Sequence, residues 1–316
     1  MSRKALVTGP TGFIGSHLVR RLLRDGWTVV LYGRNLSRVS MPVARACAAL
    51  VEGQIEDEKK LTAAAQGVDT LFHCAALVGS DVYATRPADT MDIEVIGLRN
   101  ICHAALATGK ATIVYPSSSA IYGNQDFDRP LSESIPAAPQ SSYAVVKRFN
   151  ELYLEAQFRQ NRISSTALRI FNVYGPHQHH HMVIPRFVAR AMEGAPLEIN
   201  GDGLQIRDFV YIDDVVEAML RSSTLPAGSH IINAASGMGH SIRSIAEKIT
   251  AVTKSSSPVA HRPLPPHRTG IEVAKSIGST DLARQILGMP APIGFDTGLA
   301  AVLAAVTGQN DADKAI

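Results

Sequence analysis

The sequence predicts an α/β chain built on a doubly wound parallel sheet, and three observations carry that prediction. Short apolar runs at residues 4–8, 28–32, 70–76 and 111–115 alternate with stretches of helical periodicity, such as 16–24 and 91–107. The first run ends in the glycine loop Gly9-Pro10-Thr11-Gly12-Phe13-Ile14-Gly15, placed directly before a helical pattern. The 316 residues, 46% of them hydrophobic, suffice for one or two domains with a sizeable core.

The glycine loop predicts a dinucleotide site. Gly9 permits the tight turn, Gly12 lets the backbone approach a pyrophosphate, and Gly15 allows close helix–strand packing. Thr11, Phe13 and Ile14 belong to the same cradle, where a diphosphate meets free N–H groups at the start of a helix. The second strand should end at the residue that inspects the adenosine ribose. Gly33-Arg34-Asn35 stands there, with Arg38 one helical turn on, and no carboxylate repels a 2′-phosphate. NADP is therefore favoured over NAD. The alternative is a solvated Arg34 in an enzyme that tolerates both. After the third strand, Gln54 and Ile55 are placed to flank the adenine. The fourth run ends in small residues, and Ala75 and Ala76 would let that loop lie against the cofactor, with His73 packed at the strand end.

Two further stretches carry candidate chemistry. Residues 116–123, Pro-Ser-Ser-Ser-Ala-Ile-Tyr-Gly, lie just past the carboxyl end of the strand at 111–115, where open α/β sheets bind ligands. Tyr143 and Lys147 stand four apart in a helical stretch, 143–158, so both project from one face. An ammonium held near a phenol favours the phenolate and makes Tyr143 a usable proton donor or acceptor. Taken alone, the first stretch also reads as a serine-rich turn, and the second as a surface pair on an amphipathic helix.

Composition excludes several classes. The net charge of +3 is too small to argue for nucleic acid. No apolar run approaches the ~20 residues needed to span a bilayer, and no signal peptide is visible. Residues 299–306 fit a last packing helix. Cys47, Cys74 and Cys102 are far apart, without metal-ligand spacing, and read as reduced residues of a cytoplasmic protein. No metal site is expected. His177, His179, His180 and His181 are close in sequence, but adjacent side chains on an extended chain point to opposite sides and no Cys or carboxylate joins them.

Thr8-Gly9-x-x-Gly12-x-x-Gly15, the serine segment ending in Tyr122-Gly123, and Tyr143-x-x-x-Lys147 together resemble the extended short-chain dehydrogenase/reductases. Within these, the chain is similar to the sugar-nucleotide epimerase/dehydratase branch. Residues 168–176 (Leu-Arg-Ile-Phe-Asn-Val-Tyr-Gly-Pro) and 201–215, with Arg207-Asp208-Phe209-Val210, extend the match to about Leu303. The resemblance implies a Rossmann domain at 1–170 and a smaller α/β substrate domain at 171–316, with segments around 208–235 returning to the first. It implies a catalytic Ser118, with Tyr143 as base supported by Lys147, which also holds the nicotinamide ribose. Asn172 is then assigned to the sugar–diphosphate region, and Arg207 and Arg268 to the diphosphate itself. The His177–His181 loop would border the sugar, and the helices at 93–107 and 143–158 would form a homodimer.

Three positions depart from the family pattern. Glu94 stands where Asn is usual, Gln54 replaces an adenine-contacting Asp, and Gly33 replaces the acidic ribose residue. Ser119 and Ala120 follow the catalytic hydroxyl where the dehydratases carry Asp and Glu, and neither can do acid–base work on carbon. A 4,6-dehydratase is therefore disfavoured. The expected function is an NAD(P)-dependent 4-epimerase of a nucleotide-diphosphate sugar. The rival expectations are an NADPH-dependent ketoreductase of a 4-keto sugar and a non-catalytic nucleotide-binding regulator.

Overall fold

The structure is a computed structural model that describes residues 2–77, 90–125, 129–266, 270 and 272–308. In chain order the strands are β1 Lys4–Thr8, β2 Thr28–Gly33, β3 Ala49–Glu52, β4 Thr70–His73, β5 Thr112–Ser118, β6 Ser165–Ile170 and β7 Asn172–Tyr174. They continue with β8 Leu197–Asn200, β9 Ile206–Tyr211, β10 Ser229–Ala234, β11 Gly239–Ser241, β12 Val259–Arg262 and β13 Lys275–Ser276.

Seven strands form one sheet in the order β10-β6-β5-β4-β1-β2-β3, and every neighbouring pair is parallel. The chain runs outward from β1 to β3, then crosses back to place β4 on the other side of β1. That reversal opens a crevice beyond the carboxyl ends of β1 and β4, the position where open sheets of this kind take ligands. The sheet is covered on both faces, as a parallel sheet requires. Ala5 and Val7 pack into the core on one side with Leu18 and Leu22 of the helix Phe13–Arg24. Leu6 packs into the other with Leu98 and Ile101 of the helix Gly97–Thr108 and Leu154 of Ser142–Asn161. Alternation along β1 thus feeds two cores, each fully buried leucine contributing about 2 kcal/mol.

β10 returns to the large sheet beside β6, with Asn233 opposite Arg169, as expected for residues 230–234. The later residues also build β11-β9-β13, with β7 on β9, and the parallel pair β8–β12. Asp208 ties this part together. Its buried carboxylate accepts the Ser236 hydroxyl and the backbone N–H groups of Ser236, Gly237 and Gly278.

Several boundaries differ from the sequence reading. Residues 255–266, polar and proline-rich, contain β12, which pairs with residues some sixty positions earlier. A partner that distant leaves no local signal. β5 runs three residues past Tyr115, so Ser117 and Ser118 finish a strand rather than begin a loop. Before Gly97 the helix widens into a π turn, Asp92–Ile96. No helix among the described residues is long and apolar enough to cross a membrane.

Candidate active site

The glycine loop is a cradle that side chains would fill. Gly9 adopts φ +64°, and a Cβ on it would lie 2.8 Å from the backbone of Ala75. A Cβ on Gly15 would lie 2.2 Å from the Gly9 carbonyl oxygen. Hydrogen bonds from Gly12 N to Gly9 O and from Ser16 N to Gly12 O set the turn. The helix Phe13–Arg24 starts at Gly12 with no side-chain cap and no acidic residue in its first turn, so its N-terminal field faces the crevice. Ala75, with Ala76 after it, closes the opposite wall, and Ala75 N donates to Thr8 Oγ1. These residues fit a dinucleotide diphosphate by shape and by charge.

The ribose end lies at the tips of β2 and β3. A Cβ on Gly33 would meet Pro10 Cδ at 3.3 Å, a tight contact, so the proline inside the glycine loop disfavours any side chain there. Arg34 and Arg38 are both exposed. Glu52, at the end of β3, accepts the Leu36 N–H at 3.0 Å and pins the loop that carries them. Gln54 is exposed, and its carbonyl accepts the Tyr32 hydroxyl. Ile55 is buried in the core against Gly97, with its carbonyl held by Asn100.

At the centre, β5 and the helix Ser142–Asn161 bring the catalytic candidates together. Ser141 caps that helix, its hydroxyl accepting the Ala144 N–H, so Tyr143 and Lys147 occupy its first two turns. The Lys147 ammonium lies 5.7 Å from the Tyr143 ring centroid and 4.6 Å from that of Tyr115. It donates to the Pro116 carbonyl and to Glu94 Oε2, each at 3.0 Å. Burial works against its charge, but the Glu94 carboxylate outweighs that cost, aided by Tyr143, and holds the ammonium above the ordinary lysine range.

Ser117 and Ser118 diverge, as successive strand residues must. Ser117 donates to Glu151, which is itself clamped by Arg169 through two nitrogens at 3.0 and 2.9 Å. Ser118 is left as the serine whose hydroxyl, bonded to the Ala120 N–H at 3.2 Å, ends the strand. Glu151, Arg169 and Asn150 had no role in the sequence reading. Glu151 stands eight residues past Tyr143 on the same helix, so its inward face was visible in the spacing, but its pairing with β6 was not.

Beyond the crevice, Asn172 donates to the Asp208 carbonyl at 3.2 Å. Arg207 forms an ion pair with Glu272 at 2.7 Å, and its side chain is mostly buried. Arg268 lies outside the described residues. His177 takes a left-handed turn at φ +62°, and the rings of His179 and His181 lie 5.1 Å apart, tilted by 32°. No cluster of three or more metal-ligating side chains occurs among the described residues.

Comparison with known proteins agrees with this geometry. The family model for the NAD dependent epimerase/dehydratase family matches residues 5–235. The chain is 31% identical to the UDP-N-acetyl-alpha-D-glucosaminuronate decarboxylase of Bacillus cytotoxicus, over 83% of this chain and 84% of the relative. It superposes on the UDP-glucose 4-epimerase of Thermotoga maritima, solved with UDP-glucose, with a TM-score of 0.89 and 28% identity. That match covers 97% of this chain and 99% of the other. MoeE5, solved with UDP-glucose and NAD, gives a TM-score of 0.87 at 29% identity, covering 97% and 99%. A family match over residues 5–235, the relatives' similarity over most of the length and a Rossmann-like seven-stranded sheet make this chain an enzyme of the NAD dependent epimerase/dehydratase family, within the extended short-chain dehydrogenase/reductases.

Proposed function

We propose that the protein is an NAD(P)-dependent 4-epimerase of a nucleotide-diphosphate sugar. The observation that carries this reading is the Tyr143–Lys147 pair on the first two turns of one helix, with Lys147 bonded to the Pro116 carbonyl of β5. A nicotinamide bound there supplies a reversible hydride acceptor for the sugar C4. Tyr143 takes the proton of the 4-hydroxyl as its C–H bond breaks, and returns a proton to that oxygen once hydride has been restored to the opposite face. Ser118 donates a hydrogen bond to the same oxygen, and Lys147 supports Tyr143 and holds the nicotinamide ribose. Gly9, Thr11, Gly12, Phe13, Ile14 and Gly15 cradle the diphosphate, while Asn172, Arg207 and Arg268 are assigned to the sugar nucleotide by the family resemblance alone. Ser119 and Ala120 provide no carboxylate for elimination across C5 and C6, which sets a dehydratase aside. Incubation with UDP-glucose, followed by chromatography of the sugar nucleotides, should give the C4 epimer without net consumption of cofactor.

A second reading is a ketoreductase that consumes NADPH, and it is favoured by the absence of a carboxylate at Gly33 and by the exposed Arg34. Arg34→Glu should weaken NADP binding by about 10–100-fold, the worth of a charge-assisted hydrogen bond, and leave NAD binding nearly unchanged. Fluorescence titration with the two cofactors checks this. Equal effects on both would remove Arg34 from cofactor choice.

The helix Ser142–Asn161 supports a homodimer. Val145, Phe149 and Leu152 are each about half exposed along it, and Phe149 stacks on Tyr153. An apolar stripe of this kind fits a second copy of the same helix. Phe149→Glu with Leu152→Glu should convert the dimer to a monomer by analytical ultracentrifugation at micromolar concentration. An unchanged sedimentation coefficient would place the interface elsewhere.

A further inference from the structure

Glu94 has no part in the mechanism above, yet it is fully buried inside the site. It projects from the π turn Asp92–Ile96, a wide turn of the kind often found where a helix is adapted to function. Its Oε2 accepts the Lys147 ammonium at 3.0 Å and the Tyr115 hydroxyl at 2.9 Å. Asn150 approaches the same oxygen at 3.4 Å and the Glu94 carbonyl at 3.3 Å. An oxygen serving that many donors is a carboxylate rather than a carboxylic acid. The Lys147 and Glu94 side chains are 4% and 1% exposed, so neither charge is shared with water.

Among the described residues, the titratable groups packed around this pair are His73, Cys74, Tyr115 and Tyr143. On β4 and the segment after it, burial and the adjacent Lys147 charge push His73 down to about 3, and burial pushes the Cys74 thiol up to about 12, so both are neutral. On β5, burial and the Glu94 charge hold Tyr115 well above the ordinary phenol range. On the helix Ser142–Asn161, Lys147 and Tyr143 are the titratable neighbours, with Asn150 uncharged. Asp92, on the π turn itself, is exposed.

We propose that Glu94 is a positioning residue of this active site: its carboxylate fixes the Lys147 ammonium and offsets that charge at Tyr143, keeping the phenol protonated to higher pH than lysine alone would allow. The proposal rests on Tyr143 as the acid–base group but not on the identity of the sugar. Two consequences follow from simple electrostatics. An ammonium that donates to Glu94 and to the Pro116 carbonyl still has one N–H to orient the ribose. The phenol, less strongly driven to ionise, is poised to deliver a proton as well as to take one. Lys147 Nζ lies 3.0 Å from Glu94 Oε2 and 5.7 Å from the Tyr143 ring centroid, and at an effective dielectric of about 20 a unit charge at such range displaces a phenol's ionisation by roughly one to two pH units.

The test needs no substrate. Phenolate absorbance near 295 nm is titrated in the full-length protein, and the Tyr143→Phe background is subtracted. Glu94→Gln, which keeps shape and an acceptor for Lys147, should lower the Tyr143 midpoint by about one pH unit or more, and Glu94→Asp should stay near wild type. Once a substrate is in hand, the acid limb of kcat/KM should move by the same amount. A Glu94→Gln midpoint equal to or above the wild-type value overturns the proposal. Glu94→Asn is the second neutral variant, should Gln not be accommodated. If both neutral variants lose the native circular dichroism spectrum while Glu94→Asp retains it, the carboxylate serves the fold instead, and the proposal is equally overturned. A clear midpoint shift without turnover of any sugar nucleotide would uphold the role of Glu94 and count against the epimerase reading alone.

Discussion

Tyr143→Phe is expected to lower kcat by on the order of 10²–10⁴-fold, the contribution of a positioned acid–base group, or more. The substitution removes one oxygen from a half-buried ring and leaves the ring's packing in place, so cofactor affinity and melting temperature should hardly change. The Lys147 ammonium keeps its bonds to Glu94 and Pro116 in that variant, because neither passes through the phenol. Steady-state kinetics beside a thermal melt separates the two effects. Full turnover in Tyr143→Phe would remove the tyrosine from the chemistry.

Gly15→Ala should weaken cofactor binding on the order of 10²-fold. The added methyl would lie 2.2 Å from the Gly9 carbonyl oxygen, and that contact is with backbone, which cannot rotate aside. The loop must therefore open, by a strain of about 1–3 kcal/mol, which at roughly 1.4 kcal/mol per tenfold spans about one to two decades. The shifted turn also misaims the N-terminal N–H groups of the helix Phe13–Arg24. Isothermal titration of NAD and NADP into the variant measures the loss. Unchanged affinity would show that the diphosphate is held away from this turn.

The parts of this protein that could be read from its sequence are those whose causes are local. The glycine loop, the parallel sheet and the Tyr143–Lys147 spacing each follow from neighbouring residues, and each stands where it was expected. The choice of Ser118 over Ser117 came from resemblance alone, and the Ser117–Glu151 hydrogen bond was not legible in the sequence. What escaped the sequence depends on distant partners. β12 needs β8 to exist, and Arg207 meets Glu272 across sixty-five positions. Glu94 was visible as a departure from the family pattern, but its meaning required the 3.0 Å contact with a lysine fifty-three residues away.

The most direct measurement follows a deuterium label placed at C4 of UDP-glucose. Transient oxidation at that carbon predicts interconversion of the two C4 epimers with the label retained on C4, and no such conversion in Tyr143→Phe. Loss of the label to solvent, or epimerisation that survives in Tyr143→Phe, would contradict hydride chemistry at C4 governed by this tyrosine.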